Sequence, residues 1–514
     1  VGYVYQRISS YWVGEFLARA PIFRVRGAPH RAQCTARGAR TTRSSDPLPV
    51  PYPRSTEDRT APLPPDARAA YDTFGDHAHV LVALLHERTW RGDDGAVVAF
   101  AETRGAWVAA GLPLTSADAA PDAASAFARD ARAANREALW FANEDPRRLP
   151  GWQHVQVGAL PEWSPAGWAR VLASYRRVRE QLRRARAKGV TVRALTLQAL
   201  SDSDQTALDR LEDVWRRSRR MEPMGFVVAH EHAPSAEVRR AWVAERNGRV
   251  VASVTAIPIP ARQSWLVEDV RRDGAPNGTS ELLFDAVVRD LAATGAAWIT
   301  PGMVALHGVE RPWLRIVRRL TRPLYDFDGL AFFRTRMHPD RWRPVYLSHQ
   351  PATREWRAVL EVLRAFAGGS LFRFALRSLL RRPPALAWLL AVGLVPWTVA
   401  IAVMAVVGAE GLLGYTQLEL GAWALFDAAL AALLWTAART RHPQPYVAAM
   451  LAAAGDAALS VLHVAEVGIG ETLPQMLLRL ISVGAPVVAT VMLAAARVRS
   501  RAAHSALSSS RTSR

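Results

Sequence analysis

Two hydrophobic patterns divide this chain. From about Asp66 to residue 350, apolar residues recur at helix and strand spacings, whereas beyond residue 384 they run on almost unbroken. In the first region the periodicity predicts helices near 66–90 and over Pro121–Arg136, with strands at Gly95–Phe100, Ala106–Gly111 and Leu139–Ala142. A second unit follows. It comprises a long helix over Pro165–Ala187, a strand at Val190–Leu195, a helix from Asp204 to Arg219, and strands at Arg240–Ala244, Val250–Ile257 and Ser264–Val270. A Gly-containing turn then leads into a helix over Thr279–Thr294 and a strand at Ala297–Thr300. The order predicts two α/β units in tandem.

The C-terminal stretches Ala385–Ala409, Gly421–Ala438, Pro445–Val467 and Pro474–Ala496 are each near the length needed to cross a bilayer. Four transmembrane helices are expected. Their connections alternate in charge: Arg373, Arg377, Arg381 and Arg382 precede the first, Arg439–His442 lies between the second and third, and Arg497, Arg499 and Arg501 follow the fourth. The other two loops carry Glu410 with Glu419, and Glu466 with Glu471. An excess of Arg and Lys marks the cytoplasmic side, so the globular region is expected in the cytoplasm, on a bacterial inner membrane. Asp427, Asp456, His463 and Arg479 are costly inside lipid and are expected to face one another or a polar cavity, with Arg479 and Asp456 as a pair.

Residues 1–65 are rich in Arg and Pro and are expected to form a disordered tail. No apolar run follows their basic start, so no export signal is expected there. The expected divisions are therefore 1–65, a first unit at 66–165, a second at 166–350 that carries the site, a basic connector at 351–384, spans at 385–497 and a cytoplasmic tail at 498–514. The formal charge is +19, carried mostly by Arg, which predicts an anionic partner, nucleic acid or lipid headgroups. A GC-rich genome would account for part of that excess. Cys34 is the sole cysteine, which excludes a disulfide framework and a thiolate metal site. His307 and His338 lack companions at ligand spacing, so no metal is expected.

The residues suited to chemistry cluster after the strand that begins at Ser264. Glu268, Asp269, Arg271 and Arg272 stand at its end, where side chains leave the packed core, and Asn277-Gly278-Thr279-Ser280-Glu281 opens the next helix. Asn277 or Thr279 is expected to cap that helix, and Gly278 to allow another backbone close. Two basic helical stretches, Arg170–Lys188 and Arg311–Arg322, interleave apolar residues, and the second suits a membrane interface.

Three segments, Trp265–Arg272, Ala275–Leu283 and Leu324–Leu347, resemble in order and spacing the C-terminal domain of the phosphatidylglycerol lysyltransferase family. These bacterial enzymes esterify a membrane lipid with an amino acid taken from aminoacyl-tRNA. The resemblance implies a tandem acetyltransferase-like (GNAT-like) α/β domain, here followed by four transmembrane helices. It further implies an aminoacyl-tRNA donor, an anionic phospholipid acceptor, above all phosphatidylglycerol, and no cofactor. The family's Asp-Leu-Met-Arg motif fits in two frames, Glu268 with Arg271 or Asp269 with Arg272; the second keeps an Asp and is slightly preferred. Glu281 falls on the acid of the family's Gly-Thr-Met-Asp pattern. Leu324–Leu330 resembles its Leu-Tyr-Asn-Phe-x-Gly-Leu, with Tyr325 on the tyrosine, and Arg334 and Arg336 replace two lysines as candidate phosphate holders.

Asp273–Gly278 does not match the pyrophosphate loop of acyl-CoA enzymes, and Pro276 removes an N–H donor from it, which disfavours CoA. The chain departs from the family in placing its spans after the transferase region. Two other readings stay open: an aminoacyltransferase acting on a peptidoglycan precursor, and a catalytically silent membrane-tethered protein that binds polyanions.

Overall fold

The computed structural model describes residues 63–76, 78–219, 221–228, 239–268, 270–321, 327–408, 410–440 and 443–512. Residues 1–62 of the expected N-terminal tail, Asp269 and Tyr325 lie outside the described residues, and Pro65, at the end of that expected tail, already begins a helix.

Two sheets carry the α/β region. The first holds seven strands in the order β1-β2-β3-β4-β13-β5-β12: β1 (Arg88–Arg91), β2 (Val97–Glu102), β3 (Ala106–Ala110), β4 (Glu137–Asn143), β5 (Gln153–Glu162), β12 (Val304–Ala305) and β13 (Arg341–His349). Only β3 and β4 run parallel within it. Alternating residues face opposite layers, as a pleated strand requires. Val97, Ala99, Val108, Leu139 and Phe141 pack with α2 (Ala78–His86) and α10 (Glu355–Phe366), while Val98, Phe100, Ala109 and Trp140 pack on Phe127 of α3 (Ala120–Ala133).

The second sheet has the order β11-β9-β8-β7-β6, from β6 (Val190–Leu195), β7 (Arg240–Arg246), β8 (Arg249–Ile259), β9 (Ser264–Val267) and β11 (Trp298–Thr300). The short β10 (Arg271–Arg272) also pairs with β8. On one face Leu211 of α6 (Asp202–Ser218) meets Val243 and Val250. On the other, α7 (Thr279–Ala292) buries Leu283, Val287 and Leu291 against Trp242, Ala252, Val254 and Ala256.

Several expected elements are redrawn. The helix near 66–90 is three elements, α1 (Pro65–Phe74), α2 and the strand β1. The long helix over Pro165–Ala187 breaks at Tyr175, whose backbone is extended, into α4 (Trp168–Ser174) and α5 (Arg176–Ala187). Strands β5 and β13 went unpredicted, since Gly158 and Pro161 interrupt one and three Arg/Pro positions the other. β13 lies between β4 and β5, so a segment expected in the unit at 166–350 completes the sheet begun by residues 88–162.

The sheets meet where Trp163 and Ile299 exchange backbone hydrogen bonds at 3.0 and 2.9 Å. Beside that bridge two almost fully buried carboxylates share three arginines. Glu144 meets Arg262 at 2.7 Å and Arg343 at 2.8 Å; Glu162 meets Arg341 at 2.6 Å and Arg262 at 3.1 Å. Burial pushes the Glu144 carboxyl up to about 8, even against the pull of Arg262.

The C-terminal region forms four helices long and apolar enough to cross a membrane: α12 (Pro383–Val407), α13 (Gln417–Thr440), α14 (Pro443–Val467) and α15 (Leu473–Thr512), the last apolar as far as Val498. All four coincide with the expected spans. Within them the pair expected between Arg479 and Asp456 is corrected. Arg479 donates to the carbonyls of Val467 and Gly468 at 3.2 and 2.8 Å, satisfying orphan acceptors at the end of α14, and Asp456 accepts from the Ser460 hydroxyl at 3.2 Å. His463 stacks on Tyr415 with ring centres 3.7 Å apart and hydrogen-bonds the Leu413 carbonyl.

One more helix, α11 (Leu371–Leu380), leads into α12 and touches the second sheet's covering layer. Arg381 pairs with Glu222 at 2.5 Å and donates to the Arg216 carbonyl at 3.4 Å, while the Glu222 N–H donates to Ser378 Oγ at 3.1 Å.

Removing Arg262 leaves two buried carboxylates short of a partner, a loss worth about 3 kcal/mol for buried pairs. Arg262→Ala should therefore lower the thermal midpoint of the α/β region markedly in detergent. A shift no larger than that of an exposed pair, under about 1 kcal/mol, would show that the seam is not held by these charges.

Candidate active site at the bulge after β9

The site residues are positioned by a register shift against β8. Val267 pairs with Ala256, and the Glu268 N–H donates to the Thr255 carbonyl at 2.8 Å, which keeps the ladder in step. Arg271 then pairs with Ser253 and Arg272 with Ala252. From Glu268 to Arg271 the chain advances three residues while β8 advances two, from Thr255 to Ser253. That extra residue is a β-bulge, a device that bends a strand and re-aims its side chains.

The consequence bears on the two frames. Thr255 and Ser253 are alternate residues of β8, so Glu268 and Arg271 stand on the same face, the one covered by α6. Arg272 stands over Ala252 on the face covered by α7, and is exposed. Without the bulge, two residues three apart would point to opposite sides.

Around Glu268 the geometry is tight. Arg239 approaches one carboxylate oxygen with Nε at 3.1 Å and the other with Nη2 at 3.3 Å, and the Thr255 hydroxyl donates to the same group. The side chains of Arg239 and Glu268 are 1 % and 9 % exposed, so this is a desolvated, forked ion pair with a fixed orientation. Arg271 is also buried, its guanidinium 5.6 Å from the centre of the Trp215 ring, and Arg219 lies 3.9 Å from that ring. Trp215, on the last turn of α6, thus holds two cations by its π face. This face thus holds the Glu268–Arg239 pair and, by the Trp215 indole, the cations Arg271 and Arg219.

The remaining predicted residues are elsewhere. Glu281 is half-buried in the first turn of α7, on the layer opposite Glu268 and Arg271. The cap expected from Asn277 or Thr279 is replaced by Gly278, and the Thr279 hydroxyl donates to the Pro276 carbonyl at 2.7 Å. Gly278 has φ 96°, and a Cβ there would lie 2.3 Å from the Gln181 carbonyl, so it allows α7 to start against the backbone of α5.

Arg334 and Arg336 are not brought together. Both lie on α9 (Phe327–Arg336), where residues two apart diverge by about 200°. Arg334 is buried and donates to the Gly302 carbonyl at 2.8 Å and to the Pro301 carbonyl, fastening the loop that carries the chain from β11 to β12. Arg336 is half-buried, 5.2 Å from the Phe332 ring.

Sequence reasoning missed Arg239, Thr255, Trp215 and Arg219, which lie far from Glu268 in sequence and carry no motif. It also missed a cleft of about 350 Å³ between α4 and α9, lined among others by Arg170, Ser174, Tyr175, Thr335, His338 and Trp342. His338 stacks flat on Tyr175, ring centres 3.4 Å apart, and desolvation holds its imidazole below the ordinary histidine range. The exposed Arg176 and Arg177 of α5 follow directly. Among the described residues no group of three or more His, Cys, Asp or Glu could hold a metal ion.

Comparison with known proteins places this geometry. The family model for the C-terminal region of phosphatidylglycerol lysyltransferase matches residues 68–349. No curated protein matches. The C-terminal domain of a putative lysylphosphatidylglycerol synthetase from Agrobacterium fabrum superposes with a TM-score of 0.51 at 20% identity, covering 60% of this chain and 98% of that one. L-PGS from Bacillus licheniformis gives 0.51 and 20%, covering 59% of this chain and 96% of the other. At that identity the two structures bear on fold, the acetyltransferase-like α/β arrangement. The family match spans more than half of the sequence, and the chain belongs to the phosphatidylglycerol lysyltransferase C-terminal family of transferases, with four apolar helices appended after the domain.

Proposed function

We propose that the protein transfers an amino acid from aminoacyl-tRNA to a headgroup hydroxyl of an anionic phospholipid, phosphatidylglycerol above all, at the cytoplasmic face of a bacterial inner membrane. One observation carries the lipid acceptor. The helix that covers Glu268 and Arg271, α6, is fastened in its last turn, at Arg216, and just past its end, at Glu222, to Ser378 and Arg381 beside the first apolar span. A site joined so directly to the bilayer anchor is suited to an acceptor that never leaves the membrane.

In the reaction the lipid hydroxyl attacks the aminoacyl ester carbonyl. A new ester C–O bond forms, the bond to the tRNA ribose oxygen breaks, and the hydroxyl proton ends on that oxygen. Glu268, fixed by Arg239 and Thr255, is placed to orient or accept from the attacking hydroxyl. Arg271 supplies positive charge to the tetrahedral oxyanion or the lipid phosphate. That Glu268 and Arg271 share a face supports this frame. The cleft with the Tyr175–His338 stack and the neighbouring basic α5 suits the donor, since stacked rings accept bases and arginines accept phosphates. The alternating loop charges support the cytoplasmic orientation.

Loss of one transition-state donor costs about 100-fold or more in turnover. Arg271→Ala and Glu268→Gln should each lose that much with the fold retained, and Arg272→Ala should lose far less. Sensitivity at Arg272 with tolerance at Arg271 would move the site to the other frame. Reporters fused after Arg441 should read cytoplasmic and one at Gly414 external; the reverse would refute the orientation. Lipid mass spectrometry of expressing cells should show a new aminoacylated anionic phospholipid whose synthesis in extracts stops on RNase treatment. If the label enters a peptidoglycan precursor instead, the acceptor is a peptide; if no product forms, the protein is a binder.

A further inference from the structure

Helix α10 is held firmly on one side and open on the other. Its inner side buries Ala358, Val362 and Ala365, and the Glu361 carboxylate accepts the Thr103 hydroxyl at 2.5 Å and the Gly105 N–H at 3.4 Å. Its outer side exposes Trp356 and Leu363, 51% and 46% accessible, seven residues apart and therefore on one stripe. Two large apolar groups here are left about half open to solvent.

Both neighbouring helices also expose large apolar side chains. Trp313 of α8 (Pro312–Thr321) donates its indole N–H to Glu355 at 3.0 Å, and Arg311 pairs with the same carboxylate at 3.4 Å. That contact ties α8, with Ile316 59% exposed, to the first turn of α10. At the other end Gly368 and Gly369, both at positive φ, turn the chain into α11, which exposes Phe372 and ends next to Pro383 at the start of α12. Ten helical residues rise about 15 Å, so α11 is a short link between the turn after α10 and the start of the first span.

Charge says which phase covers this surface. Arg315, Arg354, Arg357, Arg373 and Arg377 are exposed on the same three helices and their approaches, with the Arg357 guanidinium 5.4 Å from the Trp356 ring. The acids of α10 are taken up: Glu355 is paired to Arg311, and Glu361 is buried. Exposed aromatic and aliphatic side chains among unopposed arginines are the composition of an interfacial helix on an anionic bilayer.

We propose that α8, α10 and α11 together form a membrane-interface face that rests on anionic lipid, distinct from the four spans. It holds the α/β region down on the bilayer instead of leaving it hinged at Arg382. The face depends on the apolar helices lying in a membrane and is independent of the transferase reading.

The test uses the full chain in vesicles of phosphatidylcholine and phosphatidylglycerol. With the single cysteine removed by Cys34→Ser, a nitroxide is placed by Trp356→Cys or Leu363→Cys, and in a control by Ser125→Cys on α3, across the first sheet from α10. The expected result is that labels at 356 and 363 gain accessibility to dissolved oxygen and lose it to a water-soluble nickel chelate, while the label at 125 stays open to nickel. Labels at 356 and 363 as open to nickel as the control would place α10 in bulk water. Labels shielded from both reagents would place a protein partner there. Either result overturns the proposal.

Discussion

The seam between the two sheets is the constraint on which the α/β region depends. The first sheet is not built from a continuous piece of chain: β12 and β13 return from beyond the second sheet to finish it, and the Trp163–Ile299 bridge locks the two sheets edge to edge. Where the edges meet, backbone groups leave the ladders and charged side chains enter. Glu144 and Glu162 stand there almost without solvent, and Arg262, Arg341 and Arg343 come from both sides to neutralise them. Burying two carboxylates is expensive, and three forked cations offset most of that cost. A hydrophobic joint could be as stable, but it would not fix the angle between the sheets with the same directionality. Helices α6 and α7, which cover opposite faces of the second sheet, inherit their placement from that joint.

The bulge after β9 is a small departure with a large consequence. One extra residue between Glu268 and Arg271 turns two side chains that would point apart onto one face. Thr255 and Arg239 then fix the carboxylate, and Trp215 collects the cations. The same helix that supplies Trp215 meets Ser378 and Arg381 through the residues just after it. Site and bilayer anchor are thus connected through a few residues of backbone and one ion pair, which favours an acceptor presented at the membrane surface.

Much of this was legible in the sequence. The four apolar helices were visible because apolar stretches near bilayer length, broken only by isolated charged or polar residues, have few alternatives in water. The order of β6, α6, β7, β8, β9 and α7 was visible because each element carries its own period. Strand β13 was not, because Arg341 and Arg343 read as solvent-facing until their partners, nearly two hundred residues earlier, are known. The frame at 268–272 could not be chosen from sequence, since a bulge is set by pairing with another strand. The surroundings of Arg334 were hidden for a related reason: an arginine that suits a phosphate equally suits two backbone carbonyls, and here it is buried and donates to those of Pro301 and Gly302. Arg479 repeats that lesson inside the apolar helices, where it closes the end of α14 instead of pairing with Asp456.

The central claim is that Glu268 and Arg271 serve aminoacyl transfer to lipid, and a single-turnover assay tests it most directly. Purified full-length protein in phosphatidylglycerol vesicles is mixed with tRNA charged with radiolabelled amino acid, and the label is followed into the solvent-extracted lipid. Transfer into lipid is expected from the native chain, and its loss from Arg271→Ala with vesicle association unchanged. Label that stays on tRNA with the native chain, or lipid labelling that survives Arg271→Ala at the native rate, would contradict it.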